Sequence, residues 1–166
     1  MGVRDPLVDL ATIDCNNVIA DIEEIRKYNP QRFEMEQLTA IVRADLDAGV
    51  CIGYRDLTDD EFWIRGHFPS IAVMPGVIMC EAAAQLCSYF TQKFDLLGAE
   101  VVGFGGLEDV RFFDPVKPGE RFVVIAKQTK LRRGAVIVCR FQGWVEDRLV
   151  VSGAIKGIPL PIEKIG

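Results

Sequence analysis

Two side chains stand out as able to do acid/base chemistry. His67 is the one histidine in the chain and sits in Gly66-His67-Phe68-Pro69. Glu81 lies in a run that is otherwise apolar, flanked by Ile78, Met79, Cys80, Ala82 and Ala84. Each has a bland alternative: a loop histidine is usually solvated, and an acid near a helix N-terminus is favoured by the helix dipole without any catalytic duty. The setting of Glu81 argues for more, since acids are rarely buried without a partner or a purpose. Desolvation disfavours the charged form, so an enclosed Glu81 is expected to keep its proton. A protonated carboxyl can donate to a leaving hydroxyl, and a neutral imidazole can take a proton from carbon. Together they supply what a β-elimination requires.

Removing a proton beside a thioester carbonyl builds negative charge on the carbonyl oxygen. Pro75-Gly76-Val77 offers a place for it, because the first N–H groups of a helix have no intrahelical acceptor and lie at the positive end of its dipole. Gly76 N–H is the expected oxyanion donor and Val77 N–H the alternate; the competing reading is that Gly76 only permits tight packing. Gln85 follows Glu81 by four residues and shares its helix face, where it either orients the carboxyl or is a plain core-edge amide. Phe68, Pro75, Val77 and Gln85 are the expected substrate contacts. Cys80 and Cys87 have no second histidine to activate them and read as packing residues.

These residues need a scaffold. The run from Pro75 to about Phe94 is apolar nearly all round, which predicts a buried helix, with Ala82, Ala83 and Ala84 letting a sheet approach closely. A shorter helix is expected over Asn17–Tyr28, capped at Asn16 or Asn17 and stopped at Pro30. Alternation over Gln37–Asp45 and Val50–Tyr54 predicts a hairpin about Asp47, Ala48 and Gly49, with a short strand over Glu61–Arg65. After Gly98 four strand-like runs follow, near 101–113, 121–131, 135–146 and 148–158. Strands around one buried helix imply an α+β domain with an antiparallel sheet.

Composition narrows the function classes. A chain of 166 residues is the size of one domain and buries roughly 70% of its unfolded surface. Its net charge of −5 lacks the cationic surplus that nucleic-acid binding needs. The N-terminus places Arg4, Asp5 and Asp9 where a signal peptide would be apolar, and no stretch reaches transmembrane length, so a cytoplasmic protein without membrane contact is expected. The five cysteines are too scattered for a disulfide framework, and with a single histidine no metal site is expected.

The blocks Gly66-His67-Phe68-Pro69, Met74-Pro75-Gly76-Val77 and Glu81-Ala82-Ala83-Ala84-Gln85 resemble the signature of the bacterial β-hydroxyacyl-acyl-carrier-protein dehydratases. Arg111-Phe112, Pro115-Val116, Pro118-Gly119 and Leu131-Arg132-Arg133-Gly134 are similar to later blocks of that family. The resemblance implies a hot-dog fold, a long antiparallel sheet wrapped around a central helix, spanning residues 22–166 after an N-terminal extension of residues 1–21. It also implies a homodimer, or a trimer of dimers, in which His67 and Glu81 meet from different subunits. The implied reaction is cofactor-free, reversible dehydration of β-hydroxyacyl thioesters on acyl carrier protein. A thioesterase on the same fold, or a noncatalytic acyl-chain binder, are the alternatives. Glu81, where a sister group that also isomerises carries Asp, favours simple dehydration. Ser70 and Ala72 depart from the family pattern, as does Gln31-Arg32-Phe33-Glu34. Lys127, Lys130, Arg132 and Arg133 cluster near one strand end, where they either steer an acidic carrier protein or form a solvated turn.

Overall fold

The computed structural model describes residues 5–162. The longest element is a helix of 18 residues, Gly76–Lys93. Proline at residue 75 takes the cap position with extended backbone, one residue outside the expected start, and Phe94 closes the other end. Met79, Ala82, Ala83, Leu86, Tyr89 and Phe90 face the core.

Six strands form one antiparallel sheet around this helix. In chain order they are β1 Ala40–Asp45, β2 Val50–Asp56, β3 Val102–Phe112, β4 Arg121–Arg132, β5 Val136–Val145 and β6 Arg148–Pro159. The spatial order is β1-β2-β4-β5-β6-β3. The helix therefore carries the chain from β2, near one edge, to β3 at the other. This is the hot-dog arrangement, and the hairpin and the four later strands fall where the sequence reading places them.

Two local expectations need correction. The helix expected over Asn17–Tyr28 is only α1, Ile22–Ile25, capped by the Asp21 side chain on Glu24 N–H; the long helix is α2. Residue 19 is a bend and Ala20 bridges to β1 instead, because Ile19 and Ala20 N–H both bond Ile41 O and Ile41 N–H bonds Ala20 O. Pairing with β1 satisfies these groups better than a helix that could bury only one face. The strand expected over Glu61–Arg65 is a series of turns. Its polar start is turned inward, where the Glu61 carboxylate accepts both 2.9 and 3.1 Å bonds from Arg55 Nη2 and another from Thr58 N–H.

The core has two parts. One lies between α2 and the inner face of the sheet. The other lies on the outer face, where Leu7 and the partly buried Val8, Leu10 and Ile13 pack over Val42, Ile52, Tyr54, Ile125 and Trp144. Gln142 fastens this N-terminal strap, accepting from Leu7 N–H at 2.9 Å and donating to Asp5 O at 3.0 Å. No helix among the described residues is long and apolar enough to cross a membrane.

Candidate active site

His67 sits at the end of the turn that precedes α2. Its own N–H donates to Trp63 O at 2.8 Å, and Val73 N–H donates back to His67 O at 3.0 Å. The ring nitrogen Nδ1 lies 2.8 Å from Val73 O. A carbonyl oxygen only accepts, so in the neutral ring the proton is on Nδ1 and Nε2 is left as the basic nitrogen. The Phe68 ring stacks on the imidazole at 4.1 Å and is half exposed. Buried Trp63 and the Arg55–Glu61 pair, its carboxylate 3% exposed, hold the base of this turn.

Glu81 lies in the second turn of α2. The expectation of full enclosure does not hold for one chain, in which Glu81 is half-buried. Gln85 does orient it: its Nε2 donates to Glu81 Oε1 at 2.8 Å and to Met35 O at 2.5 Å, while its Oε1 accepts from Gln37 N–H at 2.8 Å. Because Met35 O can only accept and Gln37 N–H can only donate, the amide has one orientation. It presents a donor to Glu81 Oε1 and leaves Oε2 outside that hydrogen bond.

Glu81 opens onto an apolar cleft of about 110 Å³ between α2 and the β3, β5 and β6 strands. Ala84, Ser88 and Thr91 continue the wall along one stripe of α2, facing Val102, Ile137 and Ile155. At the helical rise the ten steps from Glu81 to Thr91 span about 15 Å, a length suited to an extended alkyl chain. The spacing of 81, 84, 88 and 91 was a signal for this wall, since it marks one helix face on which small and polar side chains replace large apolar ones. Nothing in the sequence pointed to Met35 O, Gln37 N–H or Val73 O, which act through the backbone.

Gly76 and Val77 are the first two residues of α2, so both N–H groups lie beyond intrahelical bonding. Packing also uses the glycine: a Cβ there would come within 2.7 Å of the Phe112 ring. Val77 is 74% exposed. His67 does not line the cleft that holds Glu81. Of the cationic cluster, Arg133 is engaged, binding the Asp95 carboxylate at 2.5 Å and also its carbonyl. Lys127, Lys130 and Arg132 form no ion pair among the described residues.

Comparison with known proteins places the chain by family and fold. A family model described as the FabA-like domain matches residues 29–154. A 3-hydroxyacyl-acyl-carrier-protein dehydratase FabZ of Streptococcus equi subsp. zooepidemicus is 33% identical over 135 residues, covering 81% of this chain and 94% of its own. FabZ of Desulfotalea psychrophila is 31% identical over 138 residues, covering 81% and 90%. Among solved structures, the dehydratase heterocomplex ApeI:P from Xenorhabdus doucetiae superposes with a TM-score of 0.68 at 14% identity over 85% of this chain and 94% of that one, a likeness of fold. With its matched region, its helix-wrapping sheet and its Glu81 cleft, the chain belongs to the FabA-like family.

Proposed function

We propose that this protein catalyses the reversible dehydration of β-hydroxyacyl thioesters, carried on acyl carrier protein, to trans-2-enoyl thioesters in fatty-acid or related lipid synthesis in the cytoplasm. The observation that carries the reading is the locked Gln85 amide, which bonds one oxygen of Glu81 where that residue lines an apolar cleft. In that position Oε2 protonates the departing hydroxyl, His67 Nε2 takes the α-proton, and Gly76 N–H receives the enolate-like oxygen. The curated relatives bear the name of this activity.

The reading requires a second copy of the chain. Strand β3 is a sheet edge of 11 residues, and a long edge with exposed apolar side chains invites another strand. Phe104, Leu107 and Phe112 on it are each exposed, as are Phe33, Phe68 and Val77. Pairing of two β3 edges covers this surface, encloses Glu81 further and brings the other subunit's imidazole to the cleft. Lys127, Lys130 and Arg132 supply unpaired positive charge for an acidic carrier protein.

The test is ultraviolet detection of enoyl product from β-hydroxyacyl thioesters. His67→Ala and Glu81→Gln are each expected to lower the rate by about 10²–10⁴ without loss of fold. Release of free acid instead of enoyl thioester, or unchanged binding with no turnover in the parent protein, overturns the proposal.

A further inference from the structure

The cleft that holds Glu81 is walled on the helix side by Glu81, Ala84, Cys87, Ser88 and Thr91. Ser88 is only 7% exposed. Its hydroxyl forms no hydrogen bond among the described residues, and protein does not cover the oxygen completely. The surface that this side chain keeps faces the cleft.

Three other polar side chains on the cleft are engaged. Glu81 accepts from Gln85 Nε2, Thr91 Oγ1 donates to Cys87 O at 2.7 Å, and Lys156 on the facing β6 is paired with Glu108. Thr91 shows how a helix disposes of a hydroxyl it does not use: the group turns back to the carbonyl four residues earlier. Ser88 has the same option at Ala84 O and does not take it. Gln31, on the same cleft, has a side-chain oxygen without a donor, and Ser88 does not bond that either. An enclosed hydroxyl without a partner is uncommon, and alanine, the best helix former, would fill this place without one.

The place of Ser88 along the cleft decides what it meets. Glu81 is the first helix residue on this wall and Thr91 the last, so a chain with its β-carbon at Glu81 carries its tail past Ser88. Seven helical steps separate the two residues, about 10 Å. A plain methylene at that point leaves the hydroxyl dry and unpaired, which is unfavourable. We propose that Ser88 selects acyl chains that bear a second oxygen, as a hydroxyl or an oxo group, about 10 Å beyond the β-carbon, with Ser88 Oγ donating to that oxygen. The assignment rests on the dehydration reading above, which sets the β-carbon at Glu81. An oxo oxygen only accepts and a hydroxyl oxygen accepts through its lone pairs, so donation from Ser88 suits both.

The experiment measures calorimetric binding of pantetheine thioesters of one chain length. They lack the 3-hydroxyl, so that none can be dehydrated, and carry a single oxo group moved stepwise along the tail. The parent protein is expected to prefer one position by about tenfold over the unsubstituted chain. Ser88→Ala, which removes only the hydroxyl from a helix interior, should lower that preference to less than about twofold. The same oxygen added to a 3-hydroxyacyl thioester should raise kcat/KM for dehydration by a like factor in the parent and not in Ser88→Ala. Equal binding at every position means that the hydroxyl serves Ala84 O or Gln31 Oε1 within the chain, and overturns the proposal. A preference that survives in Ser88→Ala overturns it too. Absence of enoyl product from an unsubstituted 3-hydroxyacyl thioester overturns the dehydration reading instead, so the two failures are distinct.

Discussion

Glu61 provides a quantitative test of how His67, the proposed base, is held in place. Its carboxylate is 3% exposed and bonded to an Arg55 guanidinium that is 23% exposed. Glu61→Ala leaves that guanidinium mostly buried without its counter-charge, and Arg55 Nε already lacks a partner. Breaking a buried pair from one side costs roughly 3–5 kcal/mol; the partial exposure of Arg55 places the expectation near the lower figure. For a chain of this size that is about a 6–12 °C fall in Tm. The effect should reach activity too. The turn that Glu61 begins ends at His67, whose N–H is bonded to Trp63 O, and misplacing a reacting group by about 1 Å can cost 10²-fold in rate. Scanning calorimetry at fixed protein concentration and the enoyl assay measure the two effects. The double change Arg55→Met/Glu61→Leu removes both charges and should recover most of the stability, since apolar replacement of a buried pair is often nearly neutral. A single variant that melts within about 2 °C of the parent, or a double variant as unstable as the single, refutes the argument.

Two further outcomes follow from charges on the page. Reversal of Lys130 and Arg132 to Glu should raise KM for carrier-bound substrate and leave a pantetheine thioester unaffected; equal effects on both remove the docking surface. The Arg26 hydrogen bond holds the Glu36 carboxyl below its ordinary value of 4.5. A carboxyl whose folded value is depressed stabilises the fold fully above its unfolded value and loses that contribution as pH falls through the folded one. The stability gap between the parent and Glu36→Gln, read from urea unfolding, should therefore be constant near neutrality and shrink as the pH drops below about 4.5. A gap that widens on acidification contradicts the assignment.

The elements that position the site were legible where local chemistry decides. Pro75 marked the start of α2 and the paired turn residues marked the strands, because a missing N–H or a left-handed backbone acts within a few residues of its cause. The hairpin turn at Gly49, with φ +64°, is such a case. What failed locally was overruled from a distance: Val18 and Ile19 had helical spacing, yet Ile41 claimed the backbone of residues 19 and 20. The candidate site divides along the same line. His67, Glu81 and Gln85 were visible as polar groups in apolar surroundings. The groups that orient them, Val73 O, Met35 O and Gln37 N–H, are backbone atoms that every residue has, and only the fold selects them.

The strand sequences also record where the N-terminal strap lies. A sheet with one wet face alternates apolar and polar residues, whereas strands covered on both faces become continuously apolar. Ala40-Ile41-Val42, Val50-Cys51-Ile52 and Val123-Val124-Ile125-Ala126 are of the continuous kind. Their inward members Ile41, Cys51, Val124 and Ala126 meet the α2 core, and their outward members Val42, Ile52 and Ile125 belong to the cluster sealed by Leu7. Beyond the strap the outer face turns polar, with Lys130 on β4, Arg140 on β5 and Lys156 on β6. The strap lies before the residues that match the family model, so the apolar outer face and its cover belong together as one feature of this chain. The Gln85 amide and Glu81 on the inner side of the sheet are thereby left on a scaffold packed from both sides.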